Sequence, residues 1–299
     1  MKRTTSALIV LVGLFWALSS TSAQKLTVDV NLTMLTARVI DELGNPVLDL
    51  NSDDFELLEN GRAMPVCHFS LHTAPAGIGL LVDNSLSVLK RKGELSQTIG
   101  QLLTAMNDDD QVFLMTFAGS SELVVRPTRN RAEVSRAITK VRSSAGTRFY
   151  DAVVDGLDML WLVSPERKAL IILTDGADHY SSHTFDQVLR TARLYGREIY
   201  IVNYAGDDSR TSSEAGRSEV LSEFFQLASA TGGQVFVPRN LQESYRIAKR
   251  IMGSLHHEYR FGFYSFHSFS WSSDVRIRVR GRRGEHLQVQ TSLVPALLP

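Results

Sequence analysis

The feature that most constrains this chain is a change of hydrophobic period at Gly77 and its reversal near Tyr259. From Lys25 to about His72 apolar residues recur every second position: Val28, Val30 and Leu32 alternate with Asp29 and Asn31, and Ala37 and Val39 continue the pattern. That period belongs to strands with one wet face. At Ile78-Gly79-Leu80-Leu81-Val82 the alternation gives way to an unbroken apolar run, the pattern of a strand buried on both faces. Val88, Leu95, Ile99, Leu102, Leu103 and Met106 then recur at helical spacing. From Tyr259 the period of two returns, through Phe261 and Phe263, then Val275, Ile277 and Val279, then Leu287 and Val289.

The middle zone alternates strands with amphipathic helices. Strands are expected at Val112–Phe117, Leu123–Val125, Ala169–Leu173, Ile199–Tyr204 and Gln234–Val237. Helices are expected at Ala132–Val141, Asp151–Leu162, Phe185–Leu194 (closed by Gly196), Val220–Ala230 and Leu241–Met252, the last with Asn240 as N-cap. This order predicts an α/β fold, a doubly wound, mostly parallel, Rossmann-like sheet covered on both faces. In the terminal zones, Glu42-Leu43-Gly44-Asn45-Pro46 and Glu59-Asn60-Gly61 are turn signals. The second is expected to join Phe55–Leu58 to Val66–Leu71 as a hairpin. Neither terminal zone alone is large enough to bury much core. The two are therefore expected to pair into one small β-sandwich-like domain, built from residues 24–74 and 256–299, with the α/β domain of residues 75–255 inserted between them.

Residues 1–23 read as an export signal. Lys2 and Arg3 precede the apolar run Ala7–Leu18, which is too short to span a bilayer, and small residues end at Ala23. The mature chain is thus expected to be periplasmic or extracellular, with no transmembrane segment. Charge points to no polyanionic partner: 32 basic residues balance 32 acidic ones, and loss of Lys2 and Arg3 leaves the mature chain slightly negative. The single cysteine, Cys67, excludes an internal disulfide, a CxxC redox pair and a thiolate-rich zinc site, and is expected to be buried as a small apolar residue.

In an open α/β sheet, ligands bind at the carboxyl ends of the strands. Asp83-Asn84-Ser85-Leu86-Ser87 follows one predicted strand and Thr174-Asp175-Gly176-Ala177-Asp178 follows another. The hydroxyl-rich loop Ser143-Ser144-Ala145-Gly146-Thr147 lies between two helices. Together they offer two carboxylates and three hydroxyls, oxygen donors of the kind a hard divalent cation such as Mg²⁺ prefers. Asp83, Ser85 and Ser87 alternate along a tight turn, so their side chains can converge. Neutral hydroxyls offset little of a double charge, which leaves demand for one external carboxylate.

Asp83-x-Ser85-x-Ser87, Gly146-Thr147 and Thr174-Asp175-Gly176 resemble, in order and spacing, the metal-ion-dependent adhesion site of von Willebrand factor type A domains across roughly residues 75–255. The flanks, including Asp53-Asp54-Phe55-Glu56-Leu57-Leu58-Glu59-Asn60-Gly61 and Tyr259–Phe266, are similar to the exported bacterial proteins called VWFA-related. The resemblance implies hydroxyl ligands from Ser85, Ser87 and Thr147. Asp83 and Asp175 would bind Mg²⁺, Mn²⁺ or Ca²⁺ directly or through water. It also implies binding of a protein partner through an acidic side chain, without turnover. Leu86 departs from the glycine many relatives carry there and would crowd the site or form an apolar rim.

Plainer readings stand beside these. Asp83 and Asp175 would serve equally as helix N-caps, although capping leaves Ser85, Ser87 and Thr147 without a role. Asp178 and His179 read as solvated loop residues. His179 and His183 have zinc-like spacing but no third ligand, and His256-His257 reads as an exposed helix end. Arg276, Arg278 and Arg280, with Arg282 and Arg283 beyond, share a strand face without interleaved aromatic residues, so a solvated face is preferred to a nucleic-acid patch. Asp108-Asp109-Asp110 lacks the glycine and terminal glutamate of a calcium loop and reads as a turn. Gly206–Ser218, with Asp178–Ser182, is a candidate specificity rim. No GxSxG, GxxxxGK[ST] or HExxH motif is present. The rival function is a Mg²⁺-dependent, phosphoesterase-like hydrolase using the strand-tip aspartates, which would also need a lysine or second acid near the ion; Lys90, within the following helix, is the nearest candidate.

Overall fold

The computed structural model describes residues 31–176, 178–204, 214–265, 274–280 and 286–294. The expected signal at 1–23, Val28 and Val30, residues 206–213 of the candidate rim, Arg282, Arg283 and the side chain of Lys90 lie outside the described residues.

The amino-terminal segment supplies β1 (Asn31–Asp41), β2 (Phe55–Glu59), β3 (Arg62–Met64) and β4 (His68–Thr73). The middle zone begins with β5 (Ala76–Asp83) and continues through α1 (Lys92–Ala105), β6 (Gln111–Phe117), β7 (Ser121–Thr128), α2 (Arg131–Lys140) and α3 (Phe149–Met159). It ends with β8 (Arg167–Thr174), α4 (Phe185–Tyr195), β9 (Glu198–Asn203), α5 (Glu214–Thr231), β10 (Val235–Phe236) and α6 (Leu241–His256). The carboxyl-terminal segment adds β11 (His257–Ser265), β12 (Val275–Val279) and β13 (Leu287–Val294).

The central sheet has strand order β10-β9-β8-β5-β6-β7, and only β7 runs antiparallel to its neighbour. The unbroken apolar run becomes the strand β5, between β6 and β8, with every residue buried. Its side chains divide between two cores because successive Cβ atoms point to opposite faces. Ile78, Leu80 and Val82 pack with Leu95, Ile99 and Leu102 of α1 and Ile251 and Leu255 of α6. Leu81 packs on the other face with Val153 and Leu157 of α3 and Val188 of α4. The expected caps are in place. Asn240 accepts a bond from the Glu243 amide, and Gly196, at φ 59°, closes α4 in the left-handed conformation.

The terminal segments share both flanking sheets. One has the order β13-β1-β11-β4 and the other β12-β2-β3, all antiparallel. Their common core joins Leu35, Ala37 and Val39 of β1 and Phe55 and Leu57 of β2 to Tyr259, Phe261 and Phe263 of β11. The Phe55 ring lies 4.9 Å from that of Phe261 and 5.1 Å from that of Tyr259, so aromatic contacts from both ends of the chain tie the layers together.

Three expectations are corrected. Phe55–Glu59 does not pair with Val66–Leu71. It turns at Asn60 and Gly61, both at positive φ, and pairs with Arg62–Met64. Pro65 follows and cannot donate to a ladder, so the strand stops and β4 starts afresh in the other sheet beside β11. Cys67 is exposed, with its thiol donating to the Gly262 carbonyl at 3.1 Å, because it stands at the seam just before β4. His256 is not an exposed helix end. It is 4% exposed and bonded through Nε2 to Asp110 Oδ2 at 2.8 Å.

That last contact belongs to a charged seam under the sheet. Asp110, 1% exposed, also accepts bonds from the amides of Ala76 and Asn107 at 2.7 Å each. The Asp108-Asp109-Asp110 turn is present as expected. Its third carboxylate, however, fastens the strand leading into the sheet and the helix leading out of it. Nearby, Arg167 pairs with Glu258 at 2.6 Å, and Arg38 pairs with Glu198. No helix among the described residues is long and apolar enough to cross a membrane.

Candidate metal centre

Strands β5 and β8 are parallel neighbours in register from Ala76/Arg167 to Val82/Leu173. Asp83 and Thr174 therefore emerge side by side at one sheet edge, with the loops that follow each strand above them. Thr174 donates to Asp83 Oδ2 at 2.7 Å, and the Ser85 amide donates to Asp83 Oδ1 at 2.8 Å. The Ser85 and Ser87 hydroxyls are 2.9 Å apart, and Ser87 donates to Asp175 Oδ1 at 2.9 Å. Asp83, Ser85, Ser87 and Asp175 are thus joined by a chain of hydrogen bonds, although 88 positions separate Ser87 from Asp175.

The Ser143–Thr147 loop is hooked onto the same edge. Ser144 bridges to Ser85 and donates its amide to the Asn84 carbonyl at 3.0 Å. Gly146 sits at φ 90°, and a Cβ there would stand 3.1 Å from the Gly119 Cα, so this loop requires glycine to lie against the neighbouring turn. Beyond it, the Thr147 carbonyl accepts from the His179 amide at 2.9 Å. Thr147 is buried, and its hydroxyl makes no hydrogen bond among the described residues. The fold therefore brings Thr147 to the edge that holds the other four residues while leaving its hydroxyl outside their chain of bonds.

Neither carboxylate acts as a helix cap. Asp83 closes a tight turn onto Ser85, the N-cap position of α1 is Arg91 with no side-chain bond, and α4 is capped by Thr184. Nor does either form an ion pair among the described residues. Burial pushes Asp83 up to about 6 against the bonds from Ser85 and Thr174, and the charge of Asp175 adds to the rise. Burial raises Asp175 as well, against the Ser87 bond and the Arg91 charge. Two desolvated carboxylates near one another with no ion pair among the described residues, lined by hydroxyls, form a donor set that fits a hard divalent cation. Among the described residues no group of three or more His, Cys, Asp or Glu is placed to hold a metal, so any site at this edge draws on hydroxyl oxygens.

The neighbouring residues take supporting roles. Asp178 accepts from the amides of Tyr150 at 3.2 Å and Ser181 at 3.1 Å. His183 bonds Asp151 at 2.7 Å, and Asp151 also accepts from the amides of Ser182 and His183. Leu86 is 56% exposed. Thr174 belongs to the motif read from the sequence but had no role of its own there, whereas in the fold it donates to Asp83. Its signal was a hydroxyl at the last position of a buried strand, level with Asp83 only once the strands are paired. Arg276 is exposed and bonded to Asp274, on the solvent side of β12.

Residues 78–177 match the family model for the von Willebrand factor type A domain. Among solved structures, a von Willebrand factor type A protein from Catenulispora acidiphila aligns over 89% of this chain and 74% of its own, at 9% identity and a TM-score of 0.52. An aerotolerance-related membrane protein from Bacteroides fragilis aligns over 60% of this chain and 98% of its own, at 16% identity and a TM-score of 0.47. The vWF domain of the type V pili tip protein Mfa5 from Porphyromonas gingivalis aligns over 62% of this chain and 97% of its own, at 9% identity and a TM-score of 0.47. The first of these likenesses establishes a shared fold. A search of curated proteins finds no match.

Proposed function

We propose, from the premise that this chain carries a von Willebrand factor type A domain over residues 78–177, that it is an exported, metal-ion-dependent protein-binding module rather than an enzyme. Asp83, Ser85, Ser87, Thr147 and Asp175 would hold one divalent cation, Mg²⁺ or else Mn²⁺ or Ca²⁺. The bound ion would supply Lewis-acid attraction for one carboxylate of a protein partner. The observation that carries this reading is the bonded set Asp83, Ser85, Ser87 and Asp175, in which neither carboxylate forms an ion pair among the described residues.

The chain's own residues prepare this chemistry. Thr174 and the Ser85 amide fix the rotamer of Asp83, so its carboxylate is oriented before any ligand arrives. Ser87 orients Asp175 in the same way. Asp151 and Asp178 hold the 178–183 segment, which forms one wall of the rim. A single ion–carboxylate contact gives weak binding, so the rim would supply most of the specificity.

Isothermal titration with Mg²⁺ and Mn²⁺ tests the site. A saturable one-site isotherm in the wild type that disappears in Asp83→Ala and Asp175→Ala supports it, and an equal response in Asp83→Ala refutes it. A pull-down from the native envelope with and without EDTA tests the function, and partners retained equally in EDTA refute a metal-bridged contact. Mg²⁺-dependent phosphoesterase activity lost in Asp83→Ala would replace this reading with the hydrolase.

A further inference from the structure

A cleft of about 680 Å³ opens beside the strand-tip site, on the side away from the 178–183 wall. Asn84 forms its inner end, and Asn84 lies between Asp83 and Ser85 in the chain. The Asn84 amide nitrogen donates to the Arg142 carbonyl at 2.9 Å, so the end of α2 is fastened directly against the site. The cleft runs from there between α2 and β7, the edge strand of the central sheet.

Its charges are not mutually neutralised. Arg136, Lys140 and Arg142 line it, all exposed, and none forms an ion pair among the described residues. Arg136 and Lys140 are four residues apart on α2, a spacing at which like charges oppose each other and weaken a helix. The acids lining the cleft are Glu122 and Glu133. Glu133 is in the first turn of α2, next to the Asn130 cap, where its charge suits the helix amino end. Glu122 is opposite Thr116 at the upper end of β7. Lys140 and Arg142, at the carboxyl end of α2, outnumber Glu122 at the metal end of the cleft and leave it with a positive excess.

We infer that this cleft receives an acidic polypeptide tract that continues from the metal-bound carboxylate of the partner, with Lys140 and Arg142 meeting the next acidic side chains and Arg136 one further along. The inference rests on the proposed metal-bridged contact and adds the partner's class: a run of acidic residues rather than one isolated carboxylate. Exposed cations at an interface edge steer and select charged partners, and their contribution falls with ionic strength.

The test uses a fluorescein-labelled hexaglutamate peptide, read by anisotropy on the full chain in Mg²⁺ at low salt. The variants are the triple reversal R136E/K140E/R142E and, separately, D175A. All three reversed positions are exposed, and an Mg²⁺ titration of the triple variant checks that the metal site is intact. The expected result is binding in the wild type, weakened about tenfold or more by the triple reversal and by raising the salt, with the Mg²⁺ isotherm unchanged. Peptide binding that EDTA and D175A abolish but the triple reversal leaves unchanged would overturn the cleft inference while leaving the metal reading. Binding that the triple reversal abolishes but EDTA and D175A leave unchanged would overturn the metal-bridged reading and with it the continuity between the two. No saturable binding of the peptide by the wild type would overturn the inference outright.

Discussion

The two edges of the central sheet treat their carboxylates in opposite ways. At the lower edge, where the flanking sheets join, Asp110 meets His256, Glu258 meets Arg167, and Glu198 meets Arg38. At the upper edge, Asp83 and Asp175 face hydroxyls, amides and each other. Each edge holds one aspartate at the same depth, Asp110 below and Asp83 above, both 1% exposed. A buried carboxylate with its partner in place holds structure together, whereas one left without a countercharge is costly in the resting protein and is retained for what it binds.

The largest expected effect is at the lower edge. Asp110→Ala leaves His256 and two backbone amides without their acceptor, and should cost about 3–5 kcal/mol in urea denaturation. Asp83→Asn, at the same depth on the upper edge, should change metal-free stability by no more than about 1 kcal/mol. Equal losses for the two variants would erase the distinction between the edges.

Metal should sharpen the contrast next. At a hundredfold excess over Kd, Mg²⁺ or Mn²⁺ should stabilise the wild type by about 2.7 kcal/mol in thermal or chemical denaturation. EDTA, Asp83→Asn or Asp175→Ala should remove that gain, and Arg167→Met should leave it intact. A metal response that survives Asp83→Asn would move the cation elsewhere.

Arg167→Met itself should cost about 2 kcal/mol, because Glu258, 11% exposed, then keeps only the more exposed Arg260 as a partner. Pairing it with Glu258→Leu should recover most of that loss in a double-mutant cycle. Additive losses in the cycle would show that the lower pair is not coupled.

The smallest effect concerns Asp151, an upper-edge carboxylate that does have partners. Burial works to raise its pKa, but bonds from Ser182 and His183 and the Arg148 charge hold it below the usual carboxylate range. A folded-state pKa below the unfolded value contributes stability that is fully present above about pH 4 and is lost as pH falls through the lower folded value. Asp151→Asn should cost about 1 kcal/mol at neutral pH and flatten that acid limb of the stability profile. A wild-type acid limb in the variant would show that Asp151 does not titrate as its partners imply.

The legibility of the site followed distance along the chain. Asp83, Ser85 and Ser87 were readable because a strand end and a tight turn are local matters, and Asp175 because it follows a buried strand whose neighbour in a parallel sheet can be anticipated. Gly146 was readable as part of a flexible loop, but its reason, the approach of Gly119, was not. Thr174 was read only as part of its motif, without a role, because a hydroxyl at a strand end acquires its meaning only from the aspartate placed beside it.

The sequence by itself determined the period of each zone, and with it the mostly parallel sheet, the antiparallel flanks and the strand ends at which chemistry collects. Those follow from local sterics and from which face of each element must leave water. Tertiary structure alone decided which charges are neutralised. Arg167 and Glu258 are 91 positions apart, so no local pattern pairs them. Whether a carboxylate or an arginine is structural or left for a partner depends on the countercharge within a few ångströms. That proximity exists only once distant segments have packed, because Coulomb attraction falls with separation and is screened by water until both groups are held together.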